Sequence, residues 1–273
     1  MSDPLRFIKM QATGNDFVLI DNRHGHIRPD ELADTARRLS HRKYGIGSDG
    51  LILLEKEPKG DGIIMHYKNP DGSDAGMCGN GARCFVRFAR MLGYPDPTPF
   101  RVHDKYYIGQ SNRDNVSIKF PLETTVKPLT VDGEDLLQVY TNTEHVVCEA
   151  GTPELRDEAA LIQRGRALRL HRDFAPKGTN VNFMKGQSPD RVELQTYERG
   201  VENLTLACGT GAIATALAWH NRRNGPGGSQ QTTVSTKGGD LSVTFDYDSK
   251  TGKYRNIRLE GPAERVFDGT FYL

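Results

Sequence analysis

Long apolar runs are absent from this chain. None of its 273 residues belongs to a stretch approaching the roughly 18 apolar positions that a membrane-spanning helix needs. The opening segment, MSDPLRFIKM, carries no apolar signal-peptide core, so the cytoplasm is the expected compartment and no membrane partner is expected. Charge of one sign is missing as well. The formal net charge is +1, without the basic stripe of a nucleic-acid binder, and no nucleic-acid partner is expected. Cysteine is scarce. Cys78, Cys84, Cys148 and Cys208 read as thiols in a reducing compartment rather than as a disulfide framework. No CxxC and no histidine pair at ligand spacing accompanies them, which argues against a metal site. Low-complexity tracts are lacking too. What is left, 36% hydrophobic and 26% charged, is the composition of a globular protein long enough to bury a core, in one large domain or two ordinary ones.

The hydrophobic pattern alternates between strand and helix signals. IKMQATGNDFVLID (8–21) predicts two short strands around a Gly-Asn-Asp turn. Leu32, Ala33, Ala36 and Leu39 have helical spacing within 30–43, and LILLE and GIIMHYKN predict strands. Ala82, Phe85, Val86, Ala89 and Leu92 outline a helix face that Gly93 can end. Residues 121–135 show little periodicity and are expected to form a linker. Beyond them HVVCEA, NVNFM and VELQTYERG predict strands, and 156–169 predicts a helix. AIATALAWHNRR is apolar on most faces and predicts a buried helix. LSVTFDYDSKTGKYRNIRLEG reads as a hairpin. GIGSDG formally matches GxGxxG at Gly45, Gly47 and Gly50. It follows a helical pattern and precedes a strand, the reverse of a dinucleotide site.

Two segments stand out: MCGNGARC (77–84) and ACGTGAIA (207–214). Both contain CGxGA, and Cys208 follows Cys78 by 130 positions. In each half strands, a peripheral helix and more strands precede the motif, and a helix and further strands follow it. This is too long a period for a solenoid and predicts two similar domains related by a pseudo-twofold axis.

The motif has a chemical reason. A helix N-terminus carries unpaired N–H groups and the positive end of a dipole, and glycine lets the backbone approach an anion. A cysteine there has its thiolate favoured. Two such thiols facing one carbon suit inversion of a stereocentre. One thiolate removes the proton from one face while the other, as thiol, protonates the opposite face. Close thiols disfavour double ionisation and titrate as a pair. Charge developing toward a substrate carboxylate meets the backbone N–H groups of the helix termini. Paired thiols make pyridoxal phosphate unnecessary, and no lysine stands in an evident motif for it, so no cofactor is expected. Cys84 and Cys148 read as small core residues, and His66 and His145 as structural, with help in closing the site as the alternative for His145.

At these residues the chain resembles the diaminopimelate epimerases, cofactor-independent enzymes that interconvert LL- and meso-diaminopimelate. ATGNDFVLID, NPDGSDAGMCGNGARCF, GTNVNF and YERGVENLTLACGTGAIA look like the family's blocks, in order. Proline racemases share the paired cysteine loops but lack the Tyr-Glu-Arg-Gly lead-in. The resemblance implies an α/β (α+β) fold of two pseudo-symmetric domains, each with strands wrapped around a central helix, and an active site between them. The corresponding domains are 1–121 and 122–261, with strand 262–273 returning to the first. It implies Cys78 and Cys208 as the acid–base pair. It implies that Asn15, Asn69, Asn180, Glu198 and Arg199 hold the charged ends of a small-molecule substrate, and that the backbone of Gly79, Asn80, Gly209 and Thr210 receives the carboxylate at the reacting carbon. It also implies a homodimer.

There are departures. Where the family carries Gly-x-Pro-His, the chain reads TNTEHVV, with Asn142 for Gly and Glu144 for Pro if His145 is the histidine. The turn backbone and any contact from Thr143 are therefore open. Where the family often has Gly-Phe-Asp-Gln, GSDG leaves Gly50 without a side chain. A proline or hydroxyproline racemase, a thiol–disulfide redox protein and a binding protein without chemistry are the rival readings.

Overall fold

A computed structural model of the chain describes residues 4–272, which divide into two compact units. The first contains the described residues through Lys119 and those from Gly261 onward, and the second is Phe120–Glu260.

The first unit opens with β1 (Leu5–Ala12), β2 (Asn15–Asp21), α1 (Leu32–Ser40), β3 (Leu51–Lys56) and β4 (Ile63–Lys68). Then come α2 (Gly79–Met91), β5 (Thr98–Val102), β6 (Lys105–Ser111) and β7 (Asn115–Lys119). The second unit contains β8 (Thr124–Val131), β9 (Glu134–Tyr140), β10 (Glu144–Glu149), α3 (Thr152–Arg156), α4 (Glu158–Arg169), β11 (Asn180–Ser188), β12 (Arg191–Glu198) and β13 (Asn203–Thr205). It continues with α5 (Gly209–Arg222), β14 (Gly228–Thr236), β15 (Gly239–Asp248) and β16 (Lys253–Pro262). The last strand, β17 (Glu264–Phe271), pairs antiparallel with β1 in the first unit.

Strand pairing repeats between the units. In the first, β17–β1 and β1–β2 are antiparallel, β2–β3 parallel, β3–β4 antiparallel, β4–β5 parallel, and β5–β6 and β6–β7 antiparallel. In the second, β8–β9 and β9–β10 are antiparallel, β10–β11 parallel, β11–β12 antiparallel, β12–β14 parallel, and β14–β15 and β15–β16 antiparallel. β16 also pairs with β8, which closes the second wrap. Each parallel pair needs a crossover, and helices supply it: α1 and α2 in the first unit, α3–α4 and α5 in the second.

One helix per unit lies inside its strands. α2 packs on β1, β2, β3, β5, β6 and β7, and α5 on β8 to β12, β14 and β15. The other helices cover the outer face. Leu32, Ala36 and Leu39 of α1 join a core with Val18, Ile20, Leu51 and Leu53. Leu155, Leu161 and Leu168 of α3 and α4 do the same with Val146, Cys148, Val181 and Phe183. Strands buried on both faces lose the alternation of half-buried ones, which is why FVLI and LILL are unbroken apolar runs. α5 is surrounded because Ala212, Ala214, Ala216 and Ala218 are small and fully buried.

Two local expectations need correction. The β1–β2 turn is Thr13–Gly14, both at positive φ (49° and 83°), as a two-residue hairpin turn demands, so Asn15 and Asp16 already belong to β2. Residues 121–135 are not a linker but hold β8 and the start of β9, whose long pairing with each other supplies order that periodicity does not reveal. Among the described residues no helix is long and apolar enough to cross a membrane.

The enclosure of the central helices sets a stability contrast. Leu217→Ala, at a fully buried position of α5, is expected to cost about 2–5 kcal/mol. Met91→Ala, at the exposed end of α2, should stay within about 0.5 kcal/mol. Urea unfolding of the two variants measures both.

Candidate active site

Both CGxGA segments are helix N-caps built on sulfur. Cys78 (φ −106°, ψ 117°) precedes α2, and Cys208 (φ −115°, ψ 114°) precedes α5. Gly81 N–H donates to Cys78 Sγ and Gly211 N–H to Cys208 Sγ, each at 3.4 Å. The Cys78 and Cys208 carbonyls accept from Ala82 and Ala212 N–H, each at 2.8 Å. The helices offer no acceptor of their own to the N–H groups of Gly79 and Asn80, or of Gly209 and Thr210. A thiolate and a carboxylate are both stabilised at such an end.

The second glycine of each motif is a packing requirement. A Cβ on Gly211 would lie 2.5 Å from Asn182 Oδ1 and 3.1 Å from Thr196 Oγ1. A Cβ on Gly81 would meet the tips of Ile52 and Met65, at 3.1 and 3.3 Å, and the edge of the Phe17 ring at 3.5 Å.

Charged groups surround the first cysteine. Asn15, at the start of β2, donates from Nδ2 to Asp49 Oδ2 at 2.7 Å. That fixes the amide orientation, so Asn15 Oδ1 accepts from Cys78 Sγ at 3.7 Å and from Asn80 Nδ2 at 3.4 Å. Asp49 also pairs with Arg42 at 2.7 Å, Arg42 with Asp16 at 2.9 Å, and Asp16 with the buried Lys9 at 2.6 Å. Burial opposes ionisation of Asp16, but hydrogen bonds from Arg42 and Lys9 prevail and hold its carboxyl at about 2.

A neutral chain serves the second cysteine. Asn182 Nδ2 donates to Val146 O at 3.0 Å and to His145 Nδ1 at 3.1 Å, while Asn182 Oδ1 accepts from Thr196 Oγ1 at 3.0 Å. His145 Nδ1 is thus an acceptor, and the ring proton sits on Nε2. Burial, with Arg199 adding to it, pushes the imidazole down to about 3, so His145 stays neutral. Its Nε2–H donates to Thr210 Oγ1 at 3.1 Å, which leaves the hydroxyl proton for Cys208 Sγ at 3.6 Å.

The remaining expected residues have local partners. Asn69 Nδ2 donates to Ser73 Oγ at 3.0 Å, within its own NPDGS turn. Asn180 Nδ2 donates to Glu144 O at 3.0 Å, and its Oδ1 accepts from Arg199 N–H at 2.9 Å. The Arg199 guanidinium donates to Glu144 Oε2 at 3.0 Å and to Thr143 Oγ1 at 2.8 Å. Glu198 closes β12, half-buried, opposite Asn203. The atypical TNTE turn keeps a left-handed residue, because Asn142 (φ 69°) is among the few side chains that tolerate it. Thr143 contributes a contact after all, to Arg199.

In the first unit Cys78, Asn15, Gly79 and Asn80 come together. In the second, Cys208, Gly209 and Thr210 form one group and Asn180 and Arg199 another, with His145 beside both. Sequence reasoning overlooked Asp49, Asn182 and Thr196 and treated His145 as structural. Asp49 was visible in GSDG, inside the rejected GxGxxG match at 45–50. Nothing in NVNFM or VELQTYERG separates Asn182 and Thr196 from ordinary strand residues. The outer cysteines behave as core: burial pushes the Cys84 and Cys148 thiols far up.

The glycine contrast can be measured. Gly211→Ala is expected to cost about 1–3 kcal/mol by forcing Asn182 off His145, and Gly81→Ala about 1 kcal/mol or less, because Ile52 and Met65 can yield. Thermal unfolding of both variants reads the difference.

The family model for diaminopimelate epimerase matches residues 7–105 and 132–266. The diaminopimelate epimerase of Flavobacterium psychrophilum is 34% identical over 273 residues, covering 97% of this chain and 100% of that protein. Those of Aquifex aeolicus and Chlorobaculum tepidum are each 37% identical, covering 97% of this chain and 97% and 100% of theirs. Among solved structures, a phenazine biosynthesis protein of the PhzF family from Bacillus anthracis superposes with a TM-score of 0.76 at 12% identity, covering 99% of this chain and 100% of that one. A hydroxyproline epimerase from Agrobacterium vitis, with bound trans-4-hydroxy-L-proline, gives 0.68 at 14% identity, covering 98% and 91%. These likenesses establish the two-domain α/β fold. Full-length relatives at more than a third identity, and a family model spanning both cysteine loops, establish more: the chain belongs to the diaminopimelate epimerase family.

Proposed function

We propose that this protein interconverts LL- and meso-diaminopimelate without a cofactor, in the supply of lysine and peptidoglycan precursors. The observation that carries the reading is the duplicated sulfur cap: two cysteines of matched backbone geometry, each receiving a backbone N–H at the mouth of an enclosed helix.

In this reading Cys78 and Cys208 work on opposite faces of the substrate α-carbon. One thiolate takes the α-proton as the other thiol delivers its own, and the roles reverse for the opposite epimer. Each sulfur has a backbone N–H for its thiolate form. Cys78 has Asn15 Oδ1 as acceptor for its thiol form, and Thr210 offers Cys208 a hydroxyl. Charge building on the reacting carboxylate is met by the N–H groups of Gly79, Asn80, Gly209 and Thr210. Asn15, Asn69, Asn180, Glu198 and Arg199 hold the remaining ammonium and carboxylate groups. A homodimer acting in the cytoplasm completes the reading, through the family resemblance.

Proton NMR of LL-diaminopimelate in D2O, with reductant and no added cofactor, tests it. Loss of the α-proton signal with appearance of the meso isomer is expected. Cys78→Ala and Cys208→Ala should each lower turnover by a factor of about 100 to 10,000 with the fold retained by circular dichroism. Wild-type turnover in either variant overturns the two-base mechanism. Preference for proline or hydroxyproline overturns the substrate, and activity that requires oxidation favours a redox protein.

Arg199 supplies a separate test. Its guanidinium is on Glu144, and both side chains are about a third exposed. A substrate carboxylate has to displace Glu144, and such a pair is worth about 1 kcal/mol or less. Glu144→Gln is therefore expected to lower KM for diaminopimelate by up to about fivefold with kcat little changed. An unchanged or higher KM removes Arg199 from the carboxylate site.

A further inference from the structure

Arg83 is a fully buried cation inside the first unit. It lies five residues after Cys78, in the second turn of α2. Its guanidinium donates to Gly79 O at 3.2 Å, Asn80 Oδ1 at 2.9 Å, Thr13 Oγ1 at 3.1 Å and Pro262 O at 3.2 Å. All four acceptors are neutral. Among the described residues no carboxylate pairs with it. Burial brings its pKa down to about 10, opposed by the neighbouring Cys84 and Cys78 thiols, so at neutral pH it stays charged. An unpaired charge in such a place is a liability for folding, and an apolar residue of similar volume commonly serves stability better.

The surrounding charges do not cancel it. Lys9 from β1, Asp16 from β2, and Arg42 and Asp49 from the segment before β3 form two positive and two negative groups bonded to one another. β3 presents the buried run Leu51–Leu54. Arg101 of β5 is held by Glu57 at 2.9 Å. Arg87, one turn further along α2, donates to the carbonyls of Asn112 and Asn115 near solvent. The position matching Arg83 after Cys208 is Ile213, fully buried and apolar. On that side Thr210 links Cys208 to the neutral His145, and Arg199 acts on His145 from beyond it.

We propose that Arg83 is a positioning residue whose buried charge makes Cys78 the more acidic of the two thiols and therefore the thiolate of the resting pair. Two features support this. The cation lies behind the very turn that caps on Cys78 Sγ, where low polarisability strengthens its field. It also holds Asn80 Oδ1, which turns Asn80 Nδ2 toward Asn15 Oδ1 and keeps the cap rigid. The second loop has the apolar Ile213 at the matching position, so no cation stands there and its sulfur ionises later. The consequence for turnover rests on the two-base reading, but the ionisation itself does not.

The test is a pH titration of thiolate absorbance at about 240 nm in the full-length protein without substrate. In Cys208→Ala the signal reports Cys78, and in Cys78→Ala it reports Cys208; Cys84 and Cys148 stay protonated through burial. Cys78 is expected to ionise at lower pH than Cys208. Adding Arg83→Gln, which keeps hydrogen bonding but removes the charge, should raise the Cys78 midpoint by about one pH unit or more, a tenfold loss of thiolate below it. Arg83→Lys should restore most of the shift. With both cysteines present, Arg83→Gln should move the acid limb of kcat/KM upward and Arg83→Lys should move it back. A Cys78 midpoint at or above that of Cys208 overturns the proposal, and needs no variant at Arg83. So does a midpoint unmoved by Arg83→Gln. If diaminopimelate shows no exchange, the proposed function fails while the titration still decides the role of Arg83.

Discussion

A helix enclosed by strands has its first backbone N–H groups shielded from water, and something other than water has to meet them. In both units a cysteine sulfur does so. The first residues of α2 and α5 are buried, so the cap cannot be replaced by solvent as it can on a surface helix. Sulfur is a weaker acceptor than the oxygen of serine or aspartate, and the longer 3.4 Å contacts reflect that. What sulfur offers instead is a proton that can leave near neutral pH, with the helix end favouring the anion left behind. In the proposed function the reactive group and the structural cap are one atom. This explains why two glycines are needed beside it. The first lets the backbone come close to an anion, and the second lets strand residues such as Asn182 reach the back of the turn.

The two units satisfy this constraint by different means. Around Cys78 the supporting groups are charged: Lys9, Asp16, Arg42 and Asp49 hold Asn15 in one orientation, and Arg83 lies beneath the turn. Around Cys208 they are neutral: Thr196, Asn182, His145 and Thr210 form a chain in which each donor is committed by its neighbour. Buried networks of this kind are worth most when every member is satisfied. The pseudo-repeat of the strands therefore does not extend to the electrostatics. The proposed reaction, which needs one thiol and one thiolate, is better served by unlike surroundings than by identical ones.

Arg199 shows how a family motif can stand in place and still be engaged elsewhere. Its guanidinium meets Glu144 and Thr143, and its backbone meets Asn180. Glu144 stands where the resemblance implies proline, and its carboxylate gives the guanidinium a partner inside the protein. Asn142, by contrast, replaces glycine at little cost, since its φ of 69° is one that asparagine adopts. One departure leaves the backbone alone while the other changes the charge around Arg199.

The order of elements, the two buried helices and the duplicated CGxGA loops were legible in the sequence alone, because each is written in local signals: apolar spacing of 3.6 or unbroken runs, glycine as punctuation, and a repeated pentapeptide. The β1–β2 turn was misplaced by a residue or two, since Thr13 at positive φ is a conformation that β-branched side chains rarely take. The segment 121–135 escaped notice as strand because β8 is defined by its long pairing with β9, not by its own pattern. Arg83, Asn182 and the tautomer of His145 were beyond reach for the same reason. An arginine in a helix is ordinarily a surface residue, and an asparagine in a strand is ordinarily unremarked. Only the tertiary structure decides which polar side chains are withdrawn from water, and a withdrawn group must find its partners among residues that folding brings near. Local sequence determined where the thiols stand on their helices. Long-range packing decided what each thiol feels, because the strength of a charge or hydrogen bond depends on the solvent excluded around it.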